Sequence, residues 1–190
     1  MISIKNAARF PTGTPLTSDN LVESHAARLI LLLSICGDKE GKSTLRKIDG
    51  LTKLAKLDFF VRYPEFFARA ASAIGKSTNI ASTDKEPKMI RYHYGPWDHR
   101  YYQVLPFMEA HALVDIVKDD KKNQYKFYLT ELGVELATSL QDKPEFADLI
   151  TKMKEVKRVL GRKNGNQLKK LVYELFQDEV GALSLGEVIE

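Results

Sequence analysis

The stretch Tyr125-Lys126-Phe127-Tyr128-Leu129-Thr130-Glu131-Leu132-Gly133-Val134-Glu135-Leu136-Ala137 decides the fold. Its first five residues are β-branched-poor but aromatic, and read as a strand. Thr130 is then a good N-cap, and Leu132, Leu136 and Ala137 recur at helical spacing, so the chain passes from strand to helix with almost no connection. Upstream, the polar turn Asp119 to Gln124 follows an apolar run, Leu113 to Lys118, which predicts that Tyr125 to Leu129 returns antiparallel to it. A helix over Asp98 to Ala112 precedes the hairpin. The local order is therefore helix, hairpin, helix over Glu131 to Leu140.

That order, and the exit through Leu129, Thr130, Gly133 and Leu136, resembles the wing of winged-helix regulators, which leave the wing through a phrase of the type Tyr-x-Leu-Thr-x-x-Gly-x-x-Leu. Phe127 replaces the opening tyrosine. The expected fold class is mainly α: a winged-helix domain with a small β-hairpin wing, followed by a C-terminal helical hairpin.

Working outward, residues 1–18 hold Pro11, Gly13 and Pro15 and read as an irregular lead-in. The winged-helix domain is expected over 19–141, with Asp19 or Asn20 capping a buried helix from Leu21 to Cys36. A long helix is predicted from Leu45 to Arg62, capped by Ser43 or Thr44 and kinked or divided at Gly50. Tyr63-Pro64 ends it. A third helix, Glu65 to Ile74, stops at Gly75, and Lys76 to Lys88 reads as a polar loop. The region 142–190 forms the helical hairpin and tail: Pro144 to Leu160 and Gln167 to Gln177 each carry one apolar stripe, suited to packing on each other.

Composition places the chain among ordinary globular proteins: 190 residues, 44% hydrophobic and 28% charged. The longest apolar run, Leu29 to Cys36, is far shorter than the roughly 20 residues a bilayer demands, and no signal-peptide pattern opens the chain, so a cytoplasmic, non-membrane protein is expected. The net charge of +4 permits nucleic-acid contact without demanding it. A single cysteine, Cys36, excludes an internal disulfide and reads as a small buried hydrophobe.

Enzymatic patterns fall short. Gly37, Gly41, Lys42, Ser43 and Thr44 resemble a phosphate-binding loop, but only three residues separate the glycines where four are needed to wrap the phosphates. Read against that, the segment is a helix and a polar turn. His25, His93, His99 and His111 include no pair at the i, i+4 spacing of a helical metal site. No catalytic residue, cofactor or metal is assigned.

Two features carry the binding expectations. The segment Arg91-Tyr92-His93-Tyr94-Gly95-Pro96-Trp97-Asp98-His99-Arg100-Tyr101-Tyr102 concentrates residue types that anchor interfaces or stack on bases. Its architectural reading has Gly95-Pro96 as the turn, Trp97 on the core and Asp98 as a helix cap. Arg91, Trp97, Arg100 and Tyr101 are the expected partner-binding residues. Lys118, Lys121, Lys122 and Lys126 give the wing a basic character and form a candidate nucleic-acid surface, diluted by Asp115, Asp119 and Asp120.

Lys47 to Pro64, Arg91 to Tyr102, Val172-Tyr173-Glu174-Leu175-Phe176 and Gly186-Glu187-Val188-Ile189 together resemble the middle component of ABC-three-component systems, in the version found in Lamassu-type antiviral defence. The resemblance implies a non-catalytic accessory subunit that binds an SMC-like ABC ATPase and helps regulate an effector nuclease, with DNA contact possible within the complex. The rival expectation is a stand-alone winged-helix transcriptional regulator that binds DNA by itself.

Overall fold

A computed structural model describes residues 21–40, 45–80 and 89–189. The lead-in, the caps expected at Asp19, Asn20, Ser43 and Thr44, and most of the 76–88 loop lie outside the described residues. The architecture is a mixed α/β fold, predominantly helical, with two small antiparallel sheets.

Helix α1 (Val22–Cys36) is apolar on nearly every side, and its Leu29 to Leu33 run is fully buried. A helix with that pattern must be central. It packs against most of the other helices and the larger sheet. Because this run is helical, no strand leads into Gly37; Gly41 to Thr44 lie outside the described residues.

The chain then forms β1 (Asp38–Lys39) and β2 (Arg46–Asp49), followed by α2 (Leu51–Arg62) and α3 (Pro64–Ala73). Gly50 does divide the segment expected as a helix from Leu45 to Arg62, and the correction is that the part before it is a strand. Ile48 fits both periods, but pairing it against Phe127 buries it completely, and Gly50 takes φ +91°, which no helix interior accommodates. The helix accordingly starts after the glycine.

Next come β3 (Ile90–Tyr92), β4 (Gly95–Trp97), α4 (Tyr101–Ala110), β5 (Val114–Asp119), β6 (Gln124–Leu129) and α5 (Glu131–Gln141). Thr130 caps α5 as its sequence implies, accepting from Gly133 N–H at 3.0 Å. The larger sheet has the order β1-β2-β6-β5. Its core face pairs Val114 with Leu129 and Ile116 with Phe127, all continuous with the core, whereas Val117 on the other face is half exposed.

The β3–β4 hairpin was not anticipated. Its turn is His93-Tyr94, while Gly95 and Pro96 sit inside the strand. Gly95 has φ +88° and lies against Lys56, Val172 and Tyr173, so a close approach and an unusual backbone coincide there. The tail extends this hairpin: Arg91 N–H donates to Glu187 O at 2.7 Å, Gly186 N–H to Arg91 O at 2.8 Å, and Val188 bridges to Ile90.

At the C-terminal end, a 3₁₀ turn (Pro144–Phe146) leads into α6 (Ala147–Leu160), and Asn164 with Gln167 forms a capping box on α7 (Gly165–Leu175). The principal neighbours of these two helices are α1, α2 and α3 rather than each other. Their apolar stripes complete one core that runs through both halves of the chain.

Candidate functional site

Two places concentrate chemistry. The first is a buried ionic joint where α1, α2 and the start of α4 meet. Asp58, fully buried, accepts from Arg28 Nε at 2.9 Å and from Tyr101 Oη at 2.7 Å. Asp98, 3% exposed, accepts from Arg62 Nη1 at 2.8 Å, from Arg100 Nε at 2.8 Å and Nη2 at 2.7 Å, and from the Arg100 backbone N–H at 3.0 Å. Arg62 also lies 3.5 Å from Asp58 and so ties the two carboxylates together. His25 sits between Arg28 and Arg100, with one ring nitrogen 3.0 Å from each. Guanidinium nitrogens only donate and an imidazole offers at most one acceptor nitrogen, so His25 accepts from one arginine at a time.

The electrostatics follow from burial plus pairing. Desolvation opposes ionisation of Asp98, but the hydrogen bonds and charges of Arg100 and Arg62 outweigh it and hold the carboxyl well below the usual carboxylate range. Burial disfavours the Arg62 cation, yet Asp58 and Asp98 keep its pKa raised. Burial, reinforced by Asp58, pushes the Tyr101 hydroxyl well up, so it remains a donor. Lys56 differs: completely buried, it donates from Nζ to Pro96 O at 2.7 Å, and burial together with Lys169 brings its pKa down to about 7. Cys36 is also buried, which pushes its thiol up to about 12 and leaves it unreactive.

The second place is a cleft of about 570 Å³ at the opposite end of α2. Its walls are the wing tip (Lys122 to Tyr125), the start of α2 (Gly50 to Lys53), the start of α7 (Asn164 to Asn166) and the aromatic side chains Tyr94, Trp97 and Tyr102. The two helix starts are in close contact, since a Cβ on Gly165 would stand 3.1 Å from Lys53 N.

The four expected partner-binding residues gather around the β3–β4 hairpin and the start of α4, mostly facing inward. Trp97 and Tyr101 are 4% and 1% exposed and pack edge to face at 5.7 Å. Arg100 is engaged with Asp98, and Arg91 is half-buried on β3. The accessible aromatic members of the segment are Tyr94 and Tyr102, at 49% and 60%. Of the wing lysines, Lys118 lies 3.5 Å from Asp120 and Lys126 3.0 Å from Asp119. Lys121 and Lys122 occupy the turn with no carboxylate at ion-pair distance among the described residues.

Sequence reasoning missed Asp58, Arg28 and Arg62. The available signal was an arginine at the head of the apolar run of α1 and an aspartate beside Phe59 and Phe60 of α2, and charged residues are almost never buried unless paired.

No known family, characterised protein or solved structure matches the chain. Among the described residues no group of His, Cys, Asp and Glu has the makings of a metal site, and no helix is long and apolar enough to cross a membrane.

Proposed function

We propose that this chain is a winged-helix accessory subunit that docks on an SMC-like ABC ATPase and helps regulate an effector nuclease, with no active site of its own. What supports the winged-helix part is connectivity. In the order α1, β2, α2, α4, β5, β6, the first strand pairs with the last, and α4 runs directly into the hairpin. Helix α3 and the β3–β4 hairpin are then an insertion between the second and third helices of the unit.

The observation that carries the accessory role is the surface of α4. In a DNA-reading winged helix, the helix before the wing enters the major groove and supplies cations and amides to phosphates and base edges. The exposed positions of α4 are Tyr102, Gln103, Pro106, Glu109 and Ala110, without one lysine or arginine. An aromatic, nearly uncharged helix suits a protein surface better than a polyanion. The stretches Lys47 to Pro64 and Arg91 to Tyr102, which carry the family resemblance, supply Asp58, Arg62, Asp98 and Arg100 to the buried joint. Their residue types therefore also have an architectural explanation.

The rival reading, a stand-alone regulator, draws on the two wing-tip lysines. Affinity purification of the tagged chain, co-expressed with its neighbouring genes, separates the two. The accessory role predicts recovery of a large coiled-coil ATPase together with a third subunit. Recovery of the chain alone, with tight sequence-dependent duplex binding in a parallel titration, refutes it in favour of the regulator.

A further inference from the structure

We infer that the cleft between the wing tip and the starts of α2 and α7 binds a nucleotide unit, either free or in an unpaired strand, with its ring on the exposed tyrosines and its phosphate at the start of α2. This does not depend on the accessory role, and the two stand or fall separately.

The first argument is the distribution of aromatic surface. Tyr94, Tyr102 and Tyr125 are 49%, 60% and 51% exposed and all line this one cleft, while Trp97 and Tyr101 of the same region are buried. Large rings left in water around a concavity are what a stacking site needs, because every base presents a π-face. The volume, about 570 Å³, lies in the range of small-molecule sites.

The second argument is the anion-binding end. Helix α2 has Gly50 as its N-cap, so no side chain satisfies its first-turn N–H groups, whereas α7 is closed by its own Asn164. A helix start with no side-chain cap and a lysine nearby is a phosphate site in its simplest form; Gly165 stands against the Lys53 N–H, and Lys122 supplies the cation from the tip of the β5–β6 hairpin. Asp49 also lies in the wall and opposes an anion; Lys47 Nζ stands 3.4 Å from it but is hydrogen-bonded to Glu40 at 2.8 Å, and so offsets its charge only in part. Lys53 is bound to Asp38 at 2.7 Å and adds little.

The third is an orphaned donor. The indole N–H of Trp97, a residue that forms part of the cleft wall and is 4% exposed, has no acceptor. Buried donors are rarely left so. A peptide partner would use the tyrosines equally, but it has less use for an uncapped helix start.

The test uses the purified full chain. One arm titrates AMP by calorimetry; the other follows the anisotropy of a labelled single strand of about ten nucleotides, with a duplex of equal length for comparison. Saturable binding in at least one of these arms is expected, weakened about tenfold by Tyr102→Ala and by Tyr94→Ala, the scale of a lost base stack. Both side chains are exposed enough for the fold to survive. Lys154→Ala, exposed on α6 and outside the cleft, should leave binding within about twofold of wild type. Binding of AMP identifies a free nucleotide as the ligand, and binding of the strand alone identifies unpaired nucleic acid; either supports the assignment. Absence of saturation in both arms, or binding that the tyrosine variants leave unchanged, overturns it. So does equal binding of the duplex.

Discussion

The joint between α1, α2 and α4 and the wing β5–β6 are both rich in opposite charges, yet they use them in contrary ways. In the joint, three guanidiniums surround two carboxylates that are 0% and 3% exposed, and each carboxylate accepts several hydrogen bonds. In the wing, Lys118–Asp120 is a single contact at 3.5 Å between side chains more than half exposed. Pairs of opposite charge therefore mean different things in the two regions. Where water is excluded, removing one partner strands the others, at about 3–5 kcal/mol; where water competes, an exposed pair contributes about 0–1 kcal/mol.

The largest effect should follow from Asp58→Ala, which leaves Arg28 and Tyr101 buried without their acceptor. Urea unfolding should show a loss of about 3–5 kcal/mol. A loss below about 1 kcal/mol would mean that the joint admits water and resembles the wing after all.

Two pH effects sharpen the contrast. The Asp98 carboxyl is held below its unfolded value of about 3.9, so its contribution is fully present above that pH and is lost as pH falls toward the folded value. Acid unfolding followed by circular dichroism should therefore begin at higher pH in Asp98→Asn than in the wild type. Lys56 gives a slope of the same sign in a higher pH window for the opposite reason, since burial disfavours its charged form. Its folded pKa of about 7 lies below the unfolded value of about 10.4, so the unfolded chain binds more protons between them and stability rises with pH across that window. Lys56→Met should flatten this rise, measured as urea midpoints from pH 7 to pH 10. An unchanged slope would place the pH dependence elsewhere.

The smallest effect belongs to the wing. Lys118→Ala should change stability by no more than about 0.5 kcal/mol in the same assay. A larger change would show the wing to be as rigidly coupled as the joint.

The two regions also differ in how far the sequence revealed them. The β5–β6 hairpin was legible because its signals are local: a polar turn between two apolar strands, then Thr130 as a cap, which placed β5, β6 and α5 within a residue or so of their bounds. The joint was not. Asp58 and Asp98 are 40 positions apart and meet through Arg62 and Arg28, contacts that no periodicity encodes. The same lack of local signal hid β2 inside an expected helix, since Ile48 satisfies both periods, and hid β3–β4, whose turn uses His93-Tyr94 and not the glycine and proline that follow. At the candidate site, Tyr94 and Tyr102 stood in the segment singled out, but which aromatics face water depends on the hairpin's register. Trp97 and Tyr101 went inward instead.

A double-mutant cycle between Arg62 and Asp98 tests the central claim, that burial turns these charges into one cooperative joint. Arg62→Met, Asp98→Asn and the combination should show a coupling energy of about 2–3 kcal/mol, because in the double variant neither member of this pair is left without the other. Additivity within about 0.5 kcal/mol would contradict the account and reduce the joint to a set of independent surface-like contacts.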